Sequence, residues 1–89
     1  MNDAQEIRRK RLLYQSGHRG TKESDLLLGA FASAHVHSFT PEQLDRYEAI
    51  LDESDPDLFD WLALRHEPPA EKMTDVLRLL LDFRYQRPG

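Results

Sequence analysis

Thr40-Pro41-Glu42-Gln43-Leu44-Asp45-Arg46-Tyr47-Glu48-Ala49-Ile50-Leu51 is the stretch whose reading decides the fold class. Thr40 is a good N-cap, Pro41 suits the first helical position because its missing N–H is not needed there, and Gln43 is placed to complete a capping box. Behind this start Leu44, Tyr47, Ile50 and Leu51 recur at three- and four-residue intervals, while Asp45, Arg46, Glu48 and Asp52 supply a solvent face. The stretch is an amphipathic helix that ends near Glu53.

The same grammar repeats downstream. Ser54-Asp55-Pro56-Asp57 starts a short helix with Asp55 as cap, and Leu58, Trp61 and Leu62 share one face, which assigns Trp61 to the core. Glu67-Pro68-Pro69 breaks the pattern, and a last helix over about residues 70–84 carries Met73, Val76, Leu77, Leu80 and Leu81 as its stripe. Upstream, residues 4–16 read as a helix stopped by Gly17, with Ile7, Leu13 and Tyr14 as a narrow apolar edge. The cations Arg8-Arg9-Lys10-Arg11 point around that helix, so most of them are expected to meet water or a partner. A second helix starts near Thr21 as N-cap, with Glu23 in its first turn. Leu27, Phe31 and Ala34 follow helical spacing, widened by Leu26, Leu28, Ala30 and Ala32. Gly29 lowers helix propensity by about 1 kcal/mol relative to Ala, which implies that a neighbouring helix passes close to it. Residues 33–39 are expected to leave the helix as a loop. No run alternates as a strand does. The expected architecture is all-α, a single compact five-helix bundle over residues 1–89 with frayed ends at about 1–3 and 86–89.

Eighty-nine residues, 39% hydrophobic and 31% charged, allow one small core and argue against disorder throughout. There is no cysteine, which removes disulfides, thiol nucleophiles and Cys-ligated zinc. No apolar run has the length to cross a bilayer, and the polar opening Met1-Asn2-Asp3-Ala4-Gln5-Glu6 reads as neither a signal peptide nor a transit sequence, so a cytoplasmic protein without membrane insertion is expected. The net charge of −4 is unevenly placed: residues 1–22 hold six Lys/Arg against two Asp/Glu, and residues 23–89 hold six against fourteen. That polarity favours a defined orientation towards a charged partner and disfavours a general affinity for nucleic acid.

Chemistry within the chain finds little support. The Gly17-to-Gly20 region lacks the glycines, Lys-Ser/Thr pair and preceding strand of a P-loop. His35 and His37 lack the i, i+4 spacing that puts two ligands on one helix face, and no metal is expected. The acidic residues of the Asp52-to-Asp60 segment read as caps and solvent face, and a bundle of this size has little room for an enclosed pocket, so no catalytic residues are expected. Arg19-Gly20-Thr21-Lys22-Glu23 is the surface feature that remains, a glycine corner between two helices. Gly20 there suits either a turn at φ > 0 or close approach of a partner's backbone, and Glu23 either steadies the helix start or presents its carboxylate.

Four ordered segments carry a resemblance: Arg11-Leu12-Leu13-Tyr14, then Arg19-Gly20-Thr21-Lys22-Glu23, then Leu27-Leu28-Gly29-Ala30-Phe31-Ala32, then Asp55-Pro56-Asp57-Leu58-Phe59-Asp60-Trp61. Together they resemble the small flavinylation factors of succinate dehydrogenase, the FAD assembly factor family, nearly end to end. The resemblance implies a five-helix, non-catalytic assembly factor or chaperone. It would bind the flavoprotein subunit of succinate dehydrogenase, and fumarate reductase is a second conceivable client. It would promote covalent FAD attachment there, hold no cofactor stably itself and be a monomer when free. It also implies that Arg19, Gly20 and Glu23 are partner-binding residues, flanked by His18, Lys22 and Arg11. Thr21 stands where the family usually carries methionine. Two other readings are a helical regulatory adaptor or antitoxin-like protein that binds DNA or a protein through its basic first helix, and a weak flavin binder.

Overall fold

Local start and stop signals account for most of the element order. The computed structural model describes residues 3–63 and 65–86. It contains α1 (Asp3–Ser16), α2 (Lys22–His35), a 3-10 turn (Val36–Ser38), α3 (Pro41–Leu51), α4 (Asp55–Leu62), a second 3-10 turn (Ala70–Lys72) and α5 (Asp75–Gln86). No strand occurs among the described residues, and the five expected helices are all present. The frayed ends expected at about 1–3 and 86–89 fall largely outside the described residues, while Asp3 and Gln86 are helical. Contacts divide the chain into Met1–Asp45 and Arg46–Gly89, with the division inside α3.

In the first unit α1 packs on α2 and on the 3-10 turn that follows it. Leu12, Leu27, Leu28, Phe31, Ala32, Val36, Phe39 and Leu44 are buried. The apolar edge expected for α1 is corrected here: Ile7 and Tyr14 are 62% and 65% exposed, and the inward residues are Leu12, Ser16 and, in part, Arg9. Positions 9, 12 and 16 share one face, but two of them are polar, so hydrophobic spacing points to the wrong side of the helix. Ser16 is satisfied by donating from Oγ to the Leu12 carbonyl at 2.7 Å. Arg9 donates from Nη2 to the Phe39 carbonyl at 2.8 Å and from Nε to the Val36 carbonyl at 3.3 Å. Those carbonyls lie where the chain leaves α2, a place where a cation suits the negative helix end. Arg8 reaches Asp45 at 2.5 Å. Arg8 and Arg9 therefore bond within the chain.

The stretch expected as a loop after Ser33 is largely helical. α2 runs to His35, and the 3-10 turn lets Val36 and Phe39 bury themselves. The neighbour of Gly29 is the turn that ends α1 rather than a helix, and the contact is an ordinary one: a Cβ at Gly29 would lie 3.8 Å from the Gly17 Cα. Leu26, counted with the apolar surface of α2, is 56% exposed.

The second unit places Tyr47, Ile50, Leu51, Leu58, Trp61, Leu62, Val76, Leu77 and Leu80 in buried positions, with Trp61 6% exposed. α4 packs against α5. Arg46 pairs with Asp75 at 3.1 Å and Lys72 with Glu53 at 2.9 Å. The capping box is reciprocal as expected: Gln43 N donates to Thr40 Oγ1 at 3.2 Å and Thr40 N to Gln43 Oε1 at 3.0 Å. Two helix starts are corrected. Ser54, not Asp55, caps α4 by accepting from the Asp57 amide, which puts Pro56 at the second helical position. The last helix starts at Asp75 rather than near 70, because Met73 is extended and Thr74 accepts from the Leu77 amide at 3.2 Å.

Candidate functional site

The six sequence-derived residues lie on α1 and around the corner that joins it to α2. Helix α1 ends at Ser16, and its last turn is closed by Gly17 N donating to the Tyr14 carbonyl and His18 N to the Gln15 carbonyl, at 3.2 and 3.3 Å. The chain then has to reverse. Arg19 N donates to Asp25 Oδ1 at 2.7 Å, so a carboxylate one turn into α2 holds the corner from the far side. Gly20 follows at φ +117°, a conformation that L side chains rarely adopt. Thr21 is extended at φ −118° and ψ 141° and caps α2, accepting from the Ser24 amide, while its carbonyl takes the Asp25 amide at 2.9 Å. The Thr21 and Ser24 hydroxyls are also bonded to each other.

Each local choice serves the reversal. Glycine supplies the backbone angle, threonine ends the turn and starts the helix, and the acidic residues Glu23 and Asp25 sit in the first turn of α2, where negative charge is favoured by about 0.3–1 kcal/mol. Both roles weighed for Glu23 remain compatible with its placement, since it lies at the helix start and is exposed. Gly20 is needed for its backbone angle, and a Cβ added there would meet nothing within 4 Å. The space outside Gly20 is therefore open to a partner's backbone. Arg19 is half-buried, and His18, Gly20, Lys22 and Arg11 are exposed, Arg11 further back along α1.

Two residues of this corner are not among the sequence-derived set. Asp25 is the acceptor for the Arg19 amide; its signal was an acidic residue in a helix start, which ordinary dipole preferences already explain. Tyr14 stacks on His18 with ring centroids 3.9 Å apart and planes 11° apart, and His18 Nδ1 donates to the Tyr14 carbonyl at 2.7 Å. The i, i+4 spacing of the two rings permits that contact, although counting Tyr14 towards the core obscured it.

Elsewhere, His35 lies against Phe31 and Phe39 at centroid distances of 4.8 and 6.3 Å, an aromatic cluster in the first unit. Arg65 sits 5.5 Å over the Phe59 ring and 3.8 Å from Asp60. No group of three or more His, Cys, Asp or Glu residues placed to hold a metal ion occurs among the described residues. No helix among them is long and apolar enough to cross a membrane.

Residues 10–84 match the family described as flavinator of succinate dehydrogenase. The chain is 47% identical over 81 residues to a mitochondrial succinate dehydrogenase assembly factor 2 of Dictyostelium discoideum, covering 89% of this chain and 57% of that protein. It is 45% identical over 83 residues to the FAD assembly factor SdhE of Acetobacter pasteurianus, covering 92% and 76%. The mitochondrial assembly factor 2 of Candida glabrata is 40% identical over 87 residues, covering 93% and 57%. The chain thus spans little more than half the length of the mitochondrial relatives. No solved structure gives a significant match.

Proposed function

Belonging as it does to the flavinators of succinate dehydrogenase, this chain, we propose, is an assembly factor that binds the flavoprotein subunit of that enzyme and promotes covalent attachment of FAD to it. One observation carries the site assignment: Arg19-Gly20-Thr21-Lys22-Glu23 forms a hydrogen-bonded corner with open space outside Gly20 and charged side chains on both sides of it. The relatives named FAD assembly factor and succinate dehydrogenase assembly factor 2 support the choice of client.

Attachment of the flavin requires a proton to leave the ring methyl, negative charge to develop on the isoalloxazine, and a histidine of the client to be held in attacking geometry. All of those groups belong to the client, and this chain acts without catalytic residues or a stably held cofactor of its own. Holding reacting groups in a competent arrangement lowers a barrier by several kcal/mol, about 7–11 in the best-oriented cases. A factor that favours the competent arrangement of its client accelerates attachment by shifting that population. In this reading Gly20 admits the client backbone, Arg19 pairs with a client carboxylate or carbonyl, and Glu23 takes a client donor. Arg11, His18 and Lys22 border the contact.

The adaptor or antitoxin-like reading rested on Arg8 to Arg11, and it loses support because Arg8 bonds to Asp45 and Arg9 to the carbonyls of Val36 and Phe39. The test is complementation of a strain deleted for the factor, with covalent flavin in the client read by in-gel fluorescence. Gly20→Trp, Arg19→Ala and Glu23→Ala are each expected to abolish stimulated attachment while circular dichroism shows intact helix content. Restoration of covalent flavin by Gly20→Trp overturns the corner assignment.

A further inference from the structure

We infer that the stacked pair Tyr14 and His18 is a recognition element that presents one hydrogen-bond acceptor, His18 Nε2, to a neutral N–H donor on the client, either a backbone amide or an Asn/Gln carboxamide. The inference rests on the reading that this corner meets a flavoprotein subunit, and it adds what that surface must offer.

The tautomer follows from the partner of Nδ1. Its neighbour at 2.7 Å is the Tyr14 carbonyl oxygen, which can only accept, so the proton of the neutral ring sits on Nδ1. Nε2 then carries the lone pair. Stacking on Tyr14 at 3.9 Å, with the planes nearly parallel at 11°, fixes the second degree of freedom, the rotation of the ring. Both rings are exposed. Exposed histidines usually sample several rotamers and both tautomers, whereas this one has its plane and its acceptor direction set before any partner arrives.

The surrounding charge selects the donor. Arg11 on α1, Arg19 in the turn and Lys22 at the start of α2 are the cations of this corner, with Glu23 and Asp25 as its acids and Tyr14 beneath the ring. Asp25 is already engaged with the Arg19 amide. A client ammonium approaching His18 would meet Arg19 as immediate chain neighbour, so an uncharged N–H fits better than a cation.

Substitution can separate the two nitrogens. His18→Asn retains a donor near the Nδ1 position and deletes the outward acceptor; His18→Gln places an amide oxygen near the Nε2 position. The first measurement is the nitrogen chemical-shift pattern of the His18 ring in the free chain at mildly alkaline pH, which assigns the tautomer without any partner. The second is affinity of wild type and both variants for the purified flavoprotein subunit lacking covalent flavin, with thermal melts confirming that all three fold. A proton on Nδ1, a loss of roughly tenfold in affinity for His18→Asn and retention within about threefold for His18→Gln support the inference; one hydrogen bond has about this worth. A proton on Nε2, or wild-type affinity in His18→Asn, overturns it and leaves the proposed function standing. Absence of binding by every version, wild type included, overturns the client reading and this inference with it.

Discussion

Replacing Asp25 by Ala removes the acceptor for the Arg19 amide and one carboxylate from the start of α2. A hydrogen bond to a charged group contributes about 1.5–3 kcal/mol, and the partial exposure of Asp25 places it at the lower end. The lost charge at the helix N-terminus adds about 0.5 kcal/mol, for a total near 2 kcal/mol in the local opening of the corner. That corresponds to roughly thirtyfold faster exchange of the Arg19 amide with solvent deuterium, because such an amide exchanges through local opening. Asp25→Asn keeps an oxygen acceptor and loses only the charge, so it is expected to fall between the two. The Gly17 and His18 amides, bonded to carbonyls of α1, serve as controls that should change much less. The assay is residue-resolved amide exchange by NMR alongside a thermal melt. If Arg19 exchange in Asp25→Ala stays within about twofold of wild type, the carboxylate does not hold the corner and the account of its rigidity is wrong.

Three other outcomes follow from the packing. Gly29→Ala is expected to be neutral or to stabilise by up to about 1 kcal/mol in a urea melt, since 3.8 Å to Gly17 Cα is ordinary contact and Ala favours helix; Gly29→Leu, which cannot fit against that backbone, is expected to lose several degrees of Tm. Arg9→Met keeps the apolar stem and strips donors from the Phe39 and Val36 carbonyls, so a loss of about 1.5–3 kcal/mol in chemical denaturation is expected, and an unchanged midpoint would count against the clamp. The Lys72 ammonium is held above the ordinary lysine range, first by its hydrogen bond to Glu53. A raised folded value means stability that is fully present below the unfolded lysine value and fades as pH rises through the folded one. From neutral to alkaline pH, the stability of wild type relative to Lys72→Met should therefore narrow as pH rises through the folded lysine value, and a gap that stays constant across that range would contradict the assignment.

How legible each feature was depended on how local its cause is. The start of α3 could be read directly because Thr40 and Gln43 satisfy each other's amides within four residues. Ser54 and Asp55 are both good caps before Pro56, and adjacent candidates of equal quality leave a one-residue ambiguity that only geometry resolves. Ala70, Glu71 and Lys72 are good helix formers, which pulled the expected start of α5 forward, but Thr74 offers a cap and the preceding residues form only a single 3-10 turn. On α1 the inward side was hidden because half-buried Arg9 and buried Ser16 turn inward through hydrogen bonds to carbonyls rather than through apolar contact. The glycine corner itself was visible in the sequence, where Gly20 suited either a turn at φ > 0 or a partner's approach, and the backbone there takes φ +117°. Its fastening was not, because the bond from Arg19 N to Asp25 exists only once α2 has turned back towards α1.

The hydrogen bonds across this corner also bear on the thermodynamics of capture. Fixing the backbone of a residue opposes ordering by about 1–2 kcal/mol, so a floppy connection from Gly17 to Thr21 would subtract several kcal/mol from the affinity of any partner that immobilised it. Here the amides of Gly17, His18 and Arg19 already have acceptors, and Thr21 is committed to the cap. The entropy of this loop is lost during folding, not during encounter. Complex formation at the corner should accordingly leave backbone order parameters of residues 17–21 nearly unchanged.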